Sequence, residues 1–182
     1  MQQDHESSTP GAPVAHPALS LARLAVETYL LEERIVSPPA DLPAELAERA
    51  GVFVCLKMHG ALRGCIGTIE PVFSTIAEEV IQNAIASATR DPRFPAVSQR
   101  ELADLTYSVD ILTLPERVES QADLDPKLYG VIVRNGARRG LLLPDLDGVE
   151  SCRQQVAIAR AKAGIMGSEP VELFRFMVCR YE

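Results

Sequence analysis

The sequence lacks any long apolar run, and even residues 140–144, Gly-Leu-Leu-Leu-Pro, are only a strand-sized stretch. A helix that crosses a bilayer needs about 20 consecutive apolar residues, so we expect no membrane segment. Residues 1–17 are polar, contain Pro and Gly, and have neither a basic start nor an apolar core, unlike a secretory signal. We expect a disordered leader there and a cytoplasmic protein.

Motifs of metal and nucleotide chemistry are also missing. The four cysteines, Cys55, Cys65, Cys152 and Cys179, form no CxxC pair and have no histidine pair nearby, so neither a zinc site nor a disulfide framework is indicated and reduced thiols are expected. There is no Gly-rich phosphate loop, dinucleotide fingerprint, HExxH or GxSxG. No nucleotide cofactor and no metal are implied, and any other cofactor stays open.

Positively charged residues are fewer than negatively charged ones: 18 Lys and Arg stand against 25 Asp and Glu, which gives a net charge of -7 and a pI near 5.1. Nucleic-acid binding depends on neutralising phosphates, so this balance argues against nucleic acid as the main partner. The 182 residues, 47% of them apolar, suit one ordinary domain or two small subdomains that share a core.

Periodicity predicts helices joined to hairpins. Apolar residues recur at helical spacing over 17–34, over 76–88 and over 149–163. Ser74 is the predicted cap of the second helix, in which Glu78, Glu79 and Gln82 face away from the apolar side. The third has a narrow small-residue face, which predicts close packing against another helix. Strand-like runs form hairpins over 51–57 with 62–69 and over 129–133 with 139–143, and single strands over 106–114 and 171–181. We therefore predict an α+β fold with a largely antiparallel sheet and packed helices.

Three motifs together resemble the AMMECR family: Leu-Arg-Gly-Cys-Ile-Gly at 62–67, Asp-Pro-Arg-Phe-Pro at 91–95 and Arg-Gly-Leu-Leu-Leu-Pro at 139–144. The first is highly specific, and the resemblance covers residues 17–182. Its bacterial members look like protein A of the AmmeMemoRadiSam clusters. The resemblance implies one AMMECR domain over 18–182, built from a larger and a smaller interleaved subdomain with a cleft at the first motif, and Memo-type and radical SAM proteins as partners.

The chain departs from the family pattern in two places. Arg160 stands where many relatives carry a cysteine before Lys-Ala-Gly, and Asp145-Leu146 replaces the usual Gln-Val. A mechanism that needs two cysteines at those places is not expected here.

Cys65 is the candidate catalytic thiolate, because strand alternation places Arg63 on the same face and a nearby cation lowers the pKa of a thiol. The alternative is that this face is buried and Cys65 is an inert small apolar residue. His59, in the preceding loop, is a weak candidate base.

Gly64 and Gly67 are candidate ligand-binding positions, since glycine in a strand often marks the close approach of a ligand or of another chain segment. Arg63, Arg93, Arg138 and Arg139 could gather at one rim and hold a carboxylate or phosphate. The alternative is that Arg93 pairs with Asp91 inside its turn and the other two are solvated.

Three hypotheses follow. The protein is an enzyme or enzyme component that acts on a small acidic molecule or a protein side chain in the cleft, with Cys65 as thiolate and the glycine-rich backbone as hydrogen-bond donor. Alternatively it is a non-catalytic binding or adaptor module for a Memo-type or radical SAM partner. The third alternative is that the motif only determines folding.

Overall fold

The computed structural model describes residues 16–182, so nearly all of the expected leader lies outside the described residues. The helices are α1 (Pro17–Glu32), α2 (Ala44–Ala47), α3 (Ile76–Thr89) and α4 (Cys152–Lys162). The strands are β1 (Val52–Met58), β2 (Ala61–Gly67), β3 (Leu105–Leu112), β4 (Glu116–Val118), β5 (Gly130–Asn135), β6 (Arg138–Leu142), β7 (Glu172–Phe176) and β8 (Val178–Tyr181). Two short 3-10 helices, Gln99–Asp104 and Gln121–Asp123, complete the elements.

The first sheet has the order β2-β1-β3-β8, and all its neighbours are antiparallel. One face packs on the helices: α3 contacts β1 and β2, and α1 contacts β3 and α3. Val52, Val54 and Leu56 alternate along β1 and are fully buried in this core, as period-two alternation requires. The opposite face of β1 therefore carries Phe53, Cys55 and Lys57.

The second sheet has the order β4-β7-β5-β6, and α4 packs on β5 and β6. The prediction that another helix packs on the small-residue face of α4 is wrong, because the close partner is a strand. A Cβ on Gly140 of β6 would lie 2.0 Å from the carbonyl oxygen of Ala159, so the small residues of α4 bring its backbone onto the sheet.

The two sheets are connected by the last part of the chain. The single strand predicted over 171–181 is two strands: β7 lies in the second sheet and β8 returns to the edge of the first, with Met177 between them. Leu112, Ile132, Leu141 and Phe176 form a buried cluster that draws on both sheets. The predicted α+β class with antiparallel sheets is confirmed, whereas the division into a larger and a smaller subdomain stays a prediction.

Two details of α3 differ from the prediction. Its cap is Thr75 rather than Ser74: the Thr75 hydroxyl accepts a hydrogen bond from the Glu78 amide and the Glu78 carboxylate accepts one from the Thr75 amide. Glu79, expected on the exposed face, is fully buried. Its carboxylate accepts hydrogen bonds from the Thr68 hydroxyl and the Phe73 amide, which fixes the segment between β2 and α3.

Among residues 16–182, no helix combines the length and the apolar character needed to span a bilayer.

Candidate functional site

The hairpin of the first motif borders a groove of about 450 Å³ between the two sheets, which we call the inter-sheet groove. Its floor is the face of the first sheet that points away from the helices, and its far wall is the end of β6 with the segment that follows. The lining residues are Phe53, Cys55, Lys57, Leu62, Cys65, Arg93, Ser108, Asp110, Leu141, Leu142, Leu143, Asp145, Leu146, Asp147, Lys162, Arg180 and Glu182.

Cys65 is joined to Cys55 by a disulfide bond on this floor. The two residues are directly opposite in the β1–β2 ladder, with their Cα atoms 4.1 Å apart, and both are half-buried. The expectation of four reduced thiols is therefore wrong for this pair, because the antiparallel register brings two cysteines ten positions apart into contact. In this state Cys65 is not a thiolate.

Arg63 does not face Cys65. The register steps from Leu56 opposite Gly64 to Lys57 opposite Leu62, so Arg63 is the extra residue of a β-bulge and strand alternation is interrupted there. Its buried guanidinium binds the Glu101 carboxylate at 2.7 Å and the carbonyls of Pro95 and Ala96. Arg63 lowers the pKa of Glu101 to about 2, and the predicted role of Arg63 as electrostatic partner of Cys65 is not found.

The 91–95 turn holds the backbone of Cys65 on the outer edge of β2. The buried Asp91 carboxylate accepts a hydrogen bond from the Cys65 amide at 2.8 Å, and Arg93 binds that carboxylate through Nε and Nη2. Arg93 Nη2 also donates to the Cys65 carbonyl at 3.2 Å. The Arg93 hydrogen bonds hold the pKa of Asp91 well below its usual range, and Asp91 in turn raises the pKa of Arg93. The Asp91–Arg93 pair, the alternative given for Arg93, is present, and Arg93 itself lines the groove.

Two backbone amides of the motif, those of Cys65 and Ile66, already donate to protein acceptors. The Ile66 amide donates to the Ser87 hydroxyl at 2.8 Å, and that hydroxyl donates to the Val54 carbonyl. With the Cys65 amide bound to Asp91, these two amides are not free to stabilise negative charge on a substrate. The hypothesis of a backbone oxyanion site built on them is therefore wrong for this structure.

Both glycines of the motif contact their own chain. A Cβ on Gly64 would lie 2.1 Å from the Ser87 carbonyl oxygen, and one on Gly67 would lie 2.3 Å from the Phe53 ring and 2.6 Å from the Val52 carbonyl oxygen. Close approach by protein atoms thus accounts for the two glycines, and their role in binding a ligand stays a prediction.

His59 lies at the exposed tip of the β1–β2 turn, with φ of 50° followed by Gly60 at 82°. This two-residue turn with positive φ is the kind that hairpins favour. Cys65 lies four positions after Ala61 on β2, which is roughly 14 Å along a strand at ~3.4 Å per residue. His59 is not in position to act as a base for Cys65.

The four arginines predicted at one rim are separated. Arg138 pairs with Glu169 and Arg139 with Glu70, both at exposed positions, while Arg63 pairs with Glu101. Arg139 borders a different hollow, beside Ile69 and Phe174. Only Arg93 of the four lines the inter-sheet groove.

Three further cations line the groove that no sequence motif indicated: Lys57, Lys162 and Arg180. Arg180 of β8 binds the buried Asp110 of β3 through two hydrogen bonds of 2.8 and 3.0 Å, and Asp110 raises its pKa. The sequence shows that Asp110 alternates with apolar residues in β3. It does not show that β8 pairs with β3, which is what brings Arg180 to Asp110. Within the described range 16–182, no cluster of His, Cys, Asp and Glu is arranged to hold a metal ion.

Comparison with known proteins gives the family. The AMMECR1 family model matches residues 19–181. A Thermotoga maritima protein is 49% identical over 170 residues, which cover 92% of this chain and 98% of that protein. A longer Clostridium acetobutylicum protein is 46% identical over 168 residues, which cover 91% of this chain but 36% of that protein.

The fold is shared with a solved structure. The crystal structure of uncharacterized protein PH0010 from Pyrococcus horikoshii matches with a TM-score of 0.83 at 35% identity, over 90% of this chain and 88% of that one. These names state no activity, ligand or partner, so the Memo-type and radical SAM partners stay predictions. The resemblance carried by the three motifs is confirmed, and the chain belongs to the AMMECR1 family.

Proposed function

We propose that the protein binds a small molecule carrying a carboxylate in the inter-sheet groove, as an enzyme or a component of one. The observation that carries the proposal is Arg93, whose Nε and Nη2 are held by Asp91 and Cys65 while Nη1 has no acceptor among residues 16–182. A guanidinium fixed on one side presents its remaining N–H groups in a defined direction, which reduces the entropy lost on binding.

Among the other cations of the groove, Lys162 is the best placed second contact for an anion, beside Arg93. Arg180 is paired with Asp110 as Arg93 is with Asp91, and Lys57 lies 3.6 Å from Glu182. Lys162, in the last turn of α4, makes no ion pair with any described carboxylate. The lining also contains Asp145 and Asp147, so the groove has no large net charge and selectivity must come from these placed donors rather than from a general field.

The size and apolar wall of the groove set limits on the rest of the ligand. A volume of about 450 Å³ suits a molecule of metabolite size. Leu141 and Leu143 make the far wall of the groove apolar, so we expect an apolar body attached to the carboxylate. Direct nucleophilic attack by Cys65 on such a ligand requires that the Cys55–Cys65 bond first be reduced.

Calorimetric titration with paired ligands tests the proposal. Hexanoate, benzoate and succinate are compared with hexanamide and benzamide, and we expect the carboxylates to bind roughly tenfold more tightly, the effect of one charge-assisted contact. Arg93→Gln and Lys162→Gln should each weaken carboxylate binding. Lys162 is exposed, so Lys162→Gln reports on binding even where Arg93→Gln, which leaves Asp91 unpaired, loses stability.

Arg139→Gln is the matched control. Arg139 is also half-exposed and paired with a carboxylate, but it borders the hollow outside the groove. We expect its substitution to leave carboxylate affinity unchanged. Equal affinities for acids and amides, or an equal loss in Arg139→Gln, would sink the proposal.

A further inference from the structure

The cysteine pair on the groove floor has the geometry of a centre that can open and close within the folded protein. Cys55 lies on β1, which is hydrogen-bonded to β2 on one side and β3 on the other. Cys65 lies directly opposite on β2, and both residues line the groove and are half-buried. A small reagent that enters the groove therefore reaches the bond without unfolding of the sheet.

The position of Cys65 does not depend on the disulfide. Its amide is held by Asp91 and its carbonyl by Arg93, while the next amide is held by Ser87 of α3. Gly64, the residue before Cys65, lets β2 lie against the Ser87 carbonyl of α3. When the sulfur–sulfur bond is broken, the two thiols remain opposite each other, so the bond re-forms as an intramolecular step with a high effective concentration.

We propose that Cys55 and Cys65 form a reversible dithiol–disulfide centre that exchanges with small-molecule thiols and disulfides entering the inter-sheet groove. In the direction that oxidises the protein, the thiolate of one cysteine attacks a sulfur of the substrate disulfide, and one substrate thiolate leaves and takes a proton. The thiolate of the second cysteine then attacks the mixed disulfide, which forms the Cys55–Cys65 bond and releases the second substrate thiol.

Atoms and electrons balance in this exchange. The protein dithiol loses two hydrogens and becomes a disulfide, and the substrate disulfide gains them and becomes two thiols. A dithiol substrate reverses both steps and regenerates the reduced protein.

The substrate class follows from the donors around the pair, and this part rests on the proposed function. Arg93 contacts the Cys65 carbonyl, and Lys162 lines the same groove as the cysteine pair. These two cations favour a substrate whose thiol or disulfide is attached to a carboxylate.

The other two cysteines, Cys152 and Cys179, can be replaced so that only the Cys55–Cys65 pair reacts in the test. Cys152 is on α4 with its Sγ donating to the Leu124 carbonyl, and Cys179 is exposed on β8; the structure pairs neither of them. A Cys152→Ser, Cys179→Ser variant therefore leaves one cysteine pair and removes competing thiols. All measurements below use this full-length background.

The first measurement equilibrates the folded protein with mixtures of reduced and oxidised dithiothreitol and identifies the state of residues 55 and 65 by mass spectrometry of the peptides. We expect full interconversion between dithiol and disulfide while the far-ultraviolet circular dichroism stays unchanged. A bond that forms or breaks only in urea would overturn the proposal, as would two thiols that are alkylated in the folded protein but never bond to each other.

The second measurement adds Cys55→Ser or Cys65→Ser and follows reaction with three disulfides: dithiodiglycolate, which is anionic, hydroxyethyl disulfide, which is neutral, and cystamine, which is cationic. A single remaining cysteine cannot complete the second step, so a stable mixed disulfide is expected with the variant that keeps the attacking cysteine. The absence of a mixed disulfide in both variants would contradict the proposed exchange.

Failure of the proposed function remains distinguishable from failure of the exchange. We expect dithiodiglycolate to oxidise the dithiol roughly tenfold faster than cystamine, and Lys162→Gln to reduce this preference. Reversible exchange at equal rates for all three disulfides would support the dithiol centre and reject carboxylate recognition by the groove.

Discussion

Arg63 of the first motif and Arg93 of the second are each held by a carboxylate. Arg63 is paired with Glu101 at the start of the 99–104 helix, and Arg93 is paired with Asp91. The first pair is nearly enclosed, with side-chain exposures of 11% and 22%, so it is screened little by solvent. Its role is to fix the bulge of β2 onto the segment that follows α3.

The Glu101 pair predicts a specific acid sensitivity. The pKa of Glu101 falls from 4.5 to about 2 because Arg63 donates hydrogen bonds to its charged form. The unfolded chain therefore binds this proton first, and the stabilisation present above pH 4.5 is lost as the pH falls from 4.5 through about 2. We expect Glu101→Gln to remove about 2 kcal/mol of this pH dependence, allowing for partial exposure of the carboxylate.

Urea denaturation across this pH range measures the effect. Glu150→Gln is the control, since it removes an exposed carboxylate that pairs with no cation in the described part of the chain. The free energy of unfolding of Glu101→Gln should vary less with pH than that of the parent and of the control. Parallel curves for all three proteins would show that the Arg63–Glu101 pair does not stabilise the fold.

At the scale of single residues, the sequence indicates which side chains are candidates for a site better than it indicates which residues they contact. The Asp91–Arg93 pair was predictable because both residues lie in one turn, two positions apart. The Cys55–Cys65 bond and the Arg63–Glu101 pair were not, since each depends on strand register or on a bulge that no local pattern specifies.

Among the elements, the β1–β2 hairpin and α3 were predicted with nearly correct bounds, and their contact explains the first glycine of the motif. Helical periodicity in α3 and the short loop of the hairpin are local signals, so sequence is sufficient for them. The break at Met177 was missed because the 171–181 run is strand-like throughout, and only the presence of two sheets requires its division.

The contact between β2 and α3 predicts that Gly64 tolerates no side chain. A Cβ there would meet the Ser87 backbone carbonyl at 2.1 Å, and a backbone atom in a packed helix cannot move aside as a flexible side chain can. We expect Gly64→Ala to lower the free energy of unfolding by about 1–3 kcal/mol. Chemical denaturation of the parent and the variant measures the change.

Gly167→Ala is the matched control for this substitution. No atom lies within 4 Å of its Cβ position and its φ is not in the left-handed region, so a change within about 0.5 kcal/mol is expected. A Gly64→Ala protein as stable as Gly167→Ala would show that β2 and α3 can separate at little cost. Such a result would also favour the prediction that Gly64 is a glycine because a ligand approaches β2 there.

At the scale of the whole molecule, the two sheets are joined by the path of the chain and by one small buried apolar cluster. The chain leaves the first sheet after β3, builds β4 to β7 in the second and returns as β8. The Asp110–Arg180 pair fixes that return, and the cluster of Leu112, Ile132, Leu141 and Phe176 lies between the sheets. The walls of the groove therefore stay in register only while the sheets remain packed together.

Phe176 is the residue that best tests this coupling. It is 2% exposed, belongs to the shared cluster and lies against Gly130 of β5. We expect Phe176→Ala to lower the free energy of unfolding by about 3–5 kcal/mol and to lower protection from hydrogen exchange in both sheets. Val54→Ala is the control, because Val54 is fully buried in the core of the first sheet alone.

Hydrogen exchange followed by peptide mass spectrometry distinguishes local from shared packing. In Phe176→Ala, peptides from β1 and β5 should lose protection together, and the groove should lose affinity for carboxylates because its two walls separate. In Val54→Ala, sites that exchange through local opening should lose protection mainly in the first sheet. Loss confined to the second sheet in Phe176→Ala would mean that the sheets unfold independently, and that the groove is an interface between two stable halves rather than part of one cooperative structure.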